Sequence, residues 1–318
     1  MENLNCELKL INMEDIKCEN VEWLWYPFVP YGKITIIQGD PGEGKTTLVL
    51  QMIAKLTRGE TIINEETKEP INVIYQTAED GLSDTIKPRL VAANADCSKV
   101  LVIDDKETPL TMLDVRLEKA IAETSARLVV LDPIQGFLGA DVDMHRANEI
   151  RPVMKHIAEI AEKYRCAIIL VGHMNKCNMG KSAYRGLGSI DFQAAARSVL
   201  IVGRIKDEPE IRVVCQIKNS LAAEAKSIAF KLSEKNGFEW LGECDVKAEE
   251  LLCGTAKGMK QKTAVHFLED TLSKGKMAQT KIAELAEEKG ISNKTLRNAK
   301  KSLDIKASKI GNQWYWEL

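Results

Sequence analysis

The chain has 318 residues, of which 45% are hydrophobic, and a formal net charge of −2. This length suffices for one large domain with a smaller one. No apolar run approaches the roughly 18 residues of a membrane-spanning helix, and the first residues lack a signal peptide's charged start and apolar block, so we predict a soluble, cytoplasmic protein with no membrane partner. The eight cysteines form no C-x-x-C pair, which argues against a metal held by sulfur.

The charge is divided unevenly along the chain. Residues 259–318 carry 12 Lys/Arg against 7 Asp/Glu, a net charge of +5, whereas the remaining residues sum to −7. A basic terminal segment of this kind indicates a polyanionic partner.

Between residue 33 and about residue 203, apolar runs alternate with segments of helical periodicity. The runs are nearly continuous in Ile, Val and Leu, which is typical of strands buried on both faces of a parallel sheet. The predicted strands cover 33–38, 71–76, 100–103, 127–131 and 166–171. The predicted helices cover 46–56, 81–94, 112–124 and 146–164. This alternation predicts an α/β fold whose mainly parallel sheet has helices on both sides.

After residue 197 the pattern changes to strands without long intervening helices. The predicted strands cover 199–204, 211–217, 227–233 and 238–241, and a turn at 234–237 joins the last two. The simplest arrangement is an antiparallel extension of the same sheet. Residues 246–262 have little sheet pattern, so we predict a linker there, between a main domain at 1–245 with an N-terminal arm at about 1–31 and a small domain at 263–318.

The small domain has three helical patterns, at 263–273, 278–289 and 292–303, followed by a predicted hairpin around Gly311 and Asn312. Ser292 suits the N-cap of the third helix. Helix–turn–helix followed by a two-stranded ribbon is the layout of a winged helix, a duplex DNA-binding fold. The third helix also carries basic residues that we predict to contact DNA, with a merely solvated basic helix as the alternative: Lys294, Arg297, Lys300 and Lys301.

A glycine-rich stretch follows the first predicted strand and opens a helix. It fits the G-x4-G-K-T phosphate-loop pattern, in which backbone N–H groups and a lysine hold nucleotide phosphates and a threonine hydroxyl ligates Mg²⁺. The alternative is a chance glycine-rich turn. We therefore predict that ATP and Mg²⁺ are bound by Gly39, Asp40, Pro41, Gly42, Glu43, Gly44, Lys45, Thr46 and Thr47.

Two further acidic positions complete the expected chemistry. Asp132 ends an apolar strand as a Mg²⁺-associated aspartate does, while Asp104 and Asp105 are rival carboxylates after a less hydrophobic run. Hydrolysis also needs a group that orients and deprotonates water. Glu79 lies just beyond the second predicted strand, at the sheet edge that also carries the phosphate loop. Its neighbour Asp80 is the rival for that role, and capping of the next helix is the alternative for either carboxylate.

With these residues in place, the chain resembles RecA-type ATPases, and within them the RepA-like replicative helicases of phages and plasmids. The resemblance extends from about Val21 to about Leu241. Beyond the phosphate loop, Glu79 and Asp132, it is carried by "DVDMHRANEIRPVMKHIAEIAEKYRCAIILVGHMNK" at 141–176, "RGLGSIDFQAAARS" at 185–198 and "IKNSLA" at 217–222. It implies a RecA-like P-loop NTPase core. Minimal RepA-like rings lack the predicted winged helix.

The resemblance implies roles for individual residues. Glu79 matches the catalytic glutamate, and His173 matches a sensor of the γ-phosphate, although a lone histidine is often structural. Arg197 matches the arginine finger that one subunit offers to its neighbour's ATP. Lys218 is a second candidate for that role, with a solvated lysine as the alternative. These roles imply a homo-oligomer, most simply a hexameric ring.

Two other segments leave alternatives open. The polar segment 178–187 follows a sheet strand, and in the family such loops line a channel for single-stranded DNA. Lys181, Tyr184 and Arg185 would then contact DNA, or else form only a basic loop. The aromatic stretch 21–31 suits core packing better than stacking on adenine.

Three functions fit these patterns. The first is an ATP-driven DNA helicase or translocase in replication of a phage or mobile element. The second is a RecA-class DNA-binding ATPase that loads or regulates other replication or recombination proteins without unwinding. The third, a nucleotide-gated DNA-binding regulator, is disfavoured because a switch needs no complete hydrolytic set such as Glu79 with Arg197.

Overall fold

The computed structural model of the chain describes residues 8, 10–63, 68–140, 142–174, 190–234, 237–254, 256, 259–273 and 275–318. Its strands are β1 (Trp23–Trp25), β2 (Val29–Pro30), β3 (Ile34–Gly39), β4 (Val73–Thr77), β5 (Val100–Leu101), β6 (Leu128–Asp132), β7 (Ala167–His173), β8 (Ser198–Ile205), β9 (Glu208–Asn219), β10 (Ser227–Ser233), β11 (Gly237–Cys244), β12 (Met277–Ala278), β13 (Lys306–Ile310) and β14 (Gln313–Glu317).

The α-helices of the same residues are α1 (Lys45–Thr57), α2 (Lys87–Ala92), α3 (Val115–Thr124), α4 (Ala147–Tyr164), α5 (Ile190–Ala195), α6 (Ala248–Leu252), α7 (Met259–Leu272), α8 (Gln279–Glu288) and α9 (Asn293–Ser302). None of these helices combines the length and the apolar character that crossing a bilayer would require.

The largest sheet in the described residues has the strand order β11-β10-β9-β8-β3-β7-β6-β4-β5. The pairs from β8 through β3, β7, β6 and β4 to β5 are parallel. The pairs from β8 through β9 and β10 to β11 are antiparallel. The predicted fold class, a mainly parallel sheet with an antiparallel extension, is confirmed. β3 lies between the two halves of the sheet, and its carboxyl end leads into α1.

Apolar side chains cover both faces of this sheet. Successive strand residues point to opposite faces, so Ile37 packs with Leu48 and Met52 of α1, whereas Ile36 packs with residues of α3 and α4. Both isoleucines of β3 are completely buried. Burial of each such side chain contributes on the order of 2 kcal/mol to folding. This packing fixes the position of the carboxyl end of β3, where the phosphate loop begins.

The antiparallel half of the sheet is supported by α6. Leu251 of α6 packs with Ile201 and Val213 in an apolar cluster separate from the two clusters at α1 and α4. This helix falls inside the segment 246–262 for which the sequence predicted only a linker. The cluster attaches at least the beginning of that segment to the main sheet.

A short hairpin of β1 and β2 precedes the main sheet and was not predicted. Trp25 and Phe28 lie at this hairpin with ring centroids 4.4 Å apart, and both are buried in the cluster that contains α1. The aromatic stretch therefore packs in the core, which the sequence pattern had favoured.

The predicted helix at 81–94 is divided in two. A π-helical turn, Leu82–Ile86, precedes α2, in whose first turn Pro88 lies. Proline has no backbone N–H to donate, and the first helical turn is where that loss costs least.

The C-terminal residues form a separate apolar cluster from α7, α8, α9 and a sheet of order β12-β14-β13. Ser292 caps α9, as predicted, because its hydroxyl accepts a 3.2 Å hydrogen bond from the backbone N–H of Thr295. Strand β12 has only two residues and was missed. It pairs with β14 through Met277 and Ala278 and so ties the start of α8 to the hairpin.

Candidate functional site

The phosphate loop joins β3 to α1 as the sequence predicted. Gly39 ends β3 so close to β8 that a Cβ there would lie 2.2 Å from the Val202 carbonyl oxygen. Gly44 precedes α1 with φ at +90°, a conformation that side chains rarely adopt. Both glycines are therefore required by the backbone path. The loop leaves the N-terminus of α1 open toward the sheet edge, where its N–H groups suit an anion.

Lys45 projects into this loop and is almost completely buried. Its ammonium donates 2.9 Å hydrogen bonds to the carbonyl oxygens of Gly39 and Asp40 and lies 3.3 Å from His173 Nδ1. Burial lowers the pKa of Lys45, and the Asp132 carboxylate opposes that shift. The lysine is thus held where bound phosphate would lie.

Thr46 meets the end of β6. Its hydroxyl donates a 2.7 Å hydrogen bond to Asp132 Oδ2, which also accepts a 3.2 Å hydrogen bond from the Tyr75 hydroxyl. Burial raises the pKa of the Asp132 carboxyl, and these two hydrogen bonds oppose the shift. Tyr75 was not identified from the sequence, because nothing in a buried strand residue signals a partner on another strand.

This hydroxyl and carboxylate fit a magnesium ion. Mg²⁺ is usually held by one or two protein oxygens together with phosphate and water, rather than by a full protein cage. The contact of Thr46 with Asp132 supplies such a pair beside the phosphate loop. In the described residues no cluster of three or more His, Cys, Asp or Glu side chains is placed to hold a metal.

Glu79 and His173 lie at the same edge of the sheet. His173 pairs with Gly39 in the β3–β7 ladder, and its Nε2 is 3.8 Å from Glu79 Oε2. The Ala78 N–H donates to the Asp132 carbonyl, which holds the ends of β4 and β6 together just before Glu79. The Glu79 side chain is 64% exposed and therefore accessible to water.

The neighbouring carboxylates lie in other surroundings. Asp80 forms an ion pair with Arg89 of α2 at 3.3 Å. Asp104 and Asp105 follow β5, which the strand order puts at the outer end of the sheet, three strands beyond β7. Among these candidates, Asp132 is the one in contact with Thr46, and Glu79 the one beside His173.

Arg197 and Lys218 lie at the opposite edge of the sheet. The Arg197 N–H donates to the carbonyl of Ile34, the first residue of β3, whereas the phosphate loop follows its last residue. At the rise per strand residue, these ends are roughly 15 Å apart. Lys218 donates to the Gln193 and Ala194 carbonyls at the end of α5, and burial lowers its pKa. Neither side chain meets the phosphate loop of its own chain.

A third arginine contacts the phosphate loop and was missed from the sequence. Arg204, near the end of β8, donates a 3.0 Å hydrogen bond to Glu43 Oε1 and a 3.1 Å hydrogen bond to the Gly42 carbonyl. It pairs across the β8–β9 ladder with Arg212, which is buried. Only the adjacency of β3 and β8, which are far apart in sequence, makes these contacts evident.

The predicted DNA contacts divide into three groups. Lys181, Tyr184 and Arg185 lie outside the described residues. Lys294, Arg297 and Lys301 of α9 are exposed. The Lys300 ammonium instead lies 4.4 Å from the centre of the Trp316 ring, which is buried in the C-terminal cluster.

Comparison with known proteins gives a family and distant relatives. A family model described as an AAA domain (AAA_25) matches residues 6–179. The DNA repair protein RadA of Bacillus subtilis is 23% identical over 228 residues, covering 71% of this chain and 44% of that protein. RadA of Halalkalibacterium halodurans is 28% identical over 148 residues, covering 46% and 28%. Protein RecA of Zymomonas mobilis is 26% identical over 264 residues, covering 78% and 69%.

The chain therefore spans less than half the length of the two RadA proteins. Among solved structures, the ATPase domain of a helicase matches with 12% identity and a TM-score of 0.48, covering 66% of this chain and 84% of that one. A KaiC-like protein of Pyrococcus horikoshii OT3 matches with 17% identity and a TM-score of 0.47, covering 66% and 90%.

Proposed function

This chain belongs to the AAA domain family and has the sheet of a RecA-like P-loop ATPase, and from that premise we propose that it is an ATP-hydrolysing, DNA-binding motor. The observation that carries the proposal is the meeting of five side chains at one sheet edge: Lys45, Thr46, Asp132, Glu79 and His173. A cation, a metal-ligand pair and an accessible carboxylate are the groups that hydrolysis of a nucleoside triphosphate requires.

The phosphates of ATP bind to the N–H groups at the start of α1. Lys45 gives up its bonds to the Gly39 and Asp40 carbonyls and binds the terminal phosphates. Thr46 and Asp132 hold Mg²⁺, which supplies charge neutralisation on the phosphate oxygens. Glu79 orients the attacking water and accepts its proton.

His173 connects this chemistry to the rest of the molecule. It lies between Lys45 and Glu79, 3.3 Å from the ammonium and 3.8 Å from the carboxylate. Any change in the position of Lys45 on phosphate binding therefore alters the contacts of the imidazole. The chain runs on from β7 into residues 175–189, which carry the proposed contacts to single-stranded DNA at Lys181, Tyr184 and Arg185.

The C-terminal helices and hairpin act as a winged helix on duplex DNA. The basic face of α9 supplies Lys294, Arg297 and Lys301, whose side chains are exposed. Neutralising DNA phosphates with such residues gives affinity that falls as salt rises. The relatives named as DNA repair proteins support DNA as the substrate.

The active assembly is a homo-oligomer, which we take to be a hexameric ring of the RepA-like helicase type. Arg197 and Lys218 lie at the sheet edge away from their own phosphate loop, so they serve the ATP of a neighbouring copy. A cation supplied in trans to the transferred phosphoryl group is worth roughly a thousandfold or more in rate. The proposed process is DNA unwinding or translocation in replication of a phage or mobile element.

Steady-state ATP turnover with and without single-stranded DNA, measured alongside native mass, tests this function. We expect DNA-stimulated turnover by an oligomer, lost in Arg197→Ala and kept in Arg165→Ala, because Arg165 is exposed at the same sheet edge but pairs with Glu19. DNA-insensitive turnover by a monomer would contradict the motor. DNA stimulation without strand separation would instead support a loader or regulator of other replication proteins.

Mixing two inactive variants tests the trans arrangement directly. In a random mixture of Arg197→Ala with Glu79→Gln, about a quarter of the interfaces combine an intact Glu79 with an intact Arg197. Turnover should therefore reappear on mixing. If Arg197 acts within its own chain or only stabilises the fold, the mixture remains inactive.

A further inference from the structure

The hydrolytic residues lie on one side of β3. Glu79, Asp132 and His173 follow β4, β6 and β7 or end them, and these three strands lie between β3 and β5 in the parallel half of the sheet. The strands on the other side of β3 are β8 to β11. A nucleotide whose terminal phosphate points to Glu79 and His173 must therefore carry its sugar and base toward β8 to β11.

On that other side, two apolar side chains lie beside the N-terminus of α1. Leu232 of β10 is so close to Gly44 that a Cβ on the glycine would lie 2.7 Å from Leu232 Cδ1. Phe238 of β11 is opposite Leu232 in the β10–β11 ladder. Both are partly exposed, and we call this pair the ledge.

The ledge has a rigid support beneath it. Phe238 stacks on the buried Phe230, with ring centroids 5.1 Å apart and an interplanar angle of 21°. Trp240 packs edge-on against Phe238 at 4.9 Å. These contacts hold the Phe238 ring in one orientation, so that a planar ligand could stack on it without a loss of side-chain freedom.

Cationic groups lie between the ledge and the phosphate loop. Arg204 is opposite Arg212, and Arg212 is opposite Phe230, so the three residues share one face of neighbouring strands. Arg204 is bonded to Glu43 and Gly42 of the loop. The buried Nε of Arg212 has no hydrogen-bond partner among the described residues. A ligand that is anionic at one end and aromatic at the other matches this order of groups.

We propose that the ledge is the base-binding site, where the purine ring of the nucleotide stacks on Phe238 and packs against Leu232. The proposal rests on the proposed function, because it requires the phosphates to lie on the N-terminus of α1. Base sites of this kind combine apolar or aromatic contact with a few polar groups. It assigns to β10 and β11 a part in nucleotide recognition that the phosphate loop alone does not supply.

Equilibrium binding of ATP and of inorganic tripolyphosphate separates the base from the phosphates. We expect Phe238→Ala to weaken ATP binding roughly tenfold or more, the usual effect of losing an aromatic–base stack, while tripolyphosphate binding changes less than about twofold. Phe238→Tyr should retain ATP binding. Trp314→Ala, which removes an exposed aromatic ring of the C-terminal hairpin, serves as the matched control and should change neither affinity.

An equal loss of both affinities in Phe238→Ala would overturn the proposal, since it would indicate a disturbed phosphate loop. Unchanged ATP affinity in that variant would overturn it as well. Failure of the wild-type chain to bind either ligand would instead contradict the proposed ATPase function.

A second measurement does not depend on the fold of Phe238→Ala. Because Trp240 packs against Phe238, its fluorescence should respond to ATP but not to tripolyphosphate in the wild-type chain. The contribution of Trp240 is obtained by difference from Trp240→Phe. The same response to both ligands, or none to ATP, would count against a base on the ledge.

Discussion

Thr46 and Asp132, 86 residues apart in the chain, are joined by a 2.7 Å hydrogen bond. The bond connects the first turn of α1 to the end of β6, two elements with separate sequence signals. It is the contact through which a phosphate loop and a strand-end carboxylate become one metal-binding pair.

Replacing Asp132 by Asn should reduce Mg²⁺-dependent ATP turnover roughly 100-fold, a loss typical of removing a group that orients a metal site. The amide keeps the shape of the side chain but not its charge. Asp104→Asn is the control, because that carboxylate follows the outermost strand β5. Steady-state turnover over a range of Mg²⁺ concentrations measures the effect, and equal losses in the two variants would contradict the assignment.

The buried state of Asp132 predicts a pH dependence. Burial raises the pKa of this carboxyl above its usual value of 3.8, so the folded chain holds the proton more tightly than the unfolded chain does. Ionisation of Asp132 therefore lowers the free energy of unfolding as pH rises through the raised pKa. Mg²⁺ needs the ionised form, so the Mg²⁺ concentration for half-maximal turnover should increase as pH falls from about 8 to about 5. A constant half-maximal concentration would argue against Asp132 as the ligand.

Glu79→Gln should retain ATP binding and lose turnover by at least roughly 100-fold, since the amide cannot accept the proton of the attacking water. Asp80→Asn provides the neighbouring control. It breaks an ion pair with Arg89 whose side chains are both partly exposed, so only a small change in turnover is expected. Binding of ATP by calorimetry, together with turnover, distinguishes the two. Unchanged turnover in Glu79→Gln would remove it as the base.

Arg297→Ala should weaken DNA binding and reduce the dependence of log affinity on log salt by about one ion. Arg297 is exposed on α9, where its charge is free to meet a phosphate. Lys281→Ala on α8 removes an exposed charge of the same sign, paired with Glu284, and should leave the salt dependence unaltered. Fluorescence anisotropy with duplex DNA at several salt concentrations gives both quantities, and identical slopes for all three proteins would contradict a DNA-binding α9.

Lys300→Ala should act on stability more than on DNA affinity. The Lys300 ammonium lies over the Trp316 ring, and such a contact contributes about 0.5–1 kcal/mol. The midpoint of the C-terminal unfolding transition in urea should therefore fall slightly in Lys300→Ala and not in Lys301→Ala, whose side chain is exposed. A midpoint that is the same in both variants would refute this role.

The parts of the site predicted from sequence are those with local signals. Lys45 and Thr46 belong to a strand–loop–helix pattern, and Asp132 follows an apolar run that is buried throughout. Tyr75 and Arg204 were missed because their partners, Asp132 and Glu43, lie on elements distant in sequence. Those contacts depend on the order of strands in the sheet, which periodicity does not encode.

The same limit applied to the fold. Long strands such as β3 and β7 are apolar on both faces and were recognised. Strand β12, with two residues, is defined by its pairing with β14 and has no pattern of its own. The hairpin of β1 and β2 likewise consists of residues whose aromatic content predicts burial but not pairing.

Arg197 and the phosphate loop stand at opposite ends of one strand pair, β3 and β8. If each copy completes its neighbour's reaction, a single chain contains two halves of different catalytic centres and no whole one. A closed ring then has as many working centres as copies, whereas an open row always leaves one incomplete at its end. Turnover per copy would be independent of length in a ring and would climb with length in a row, so dilution kinetics can distinguish the two geometries without an image of either.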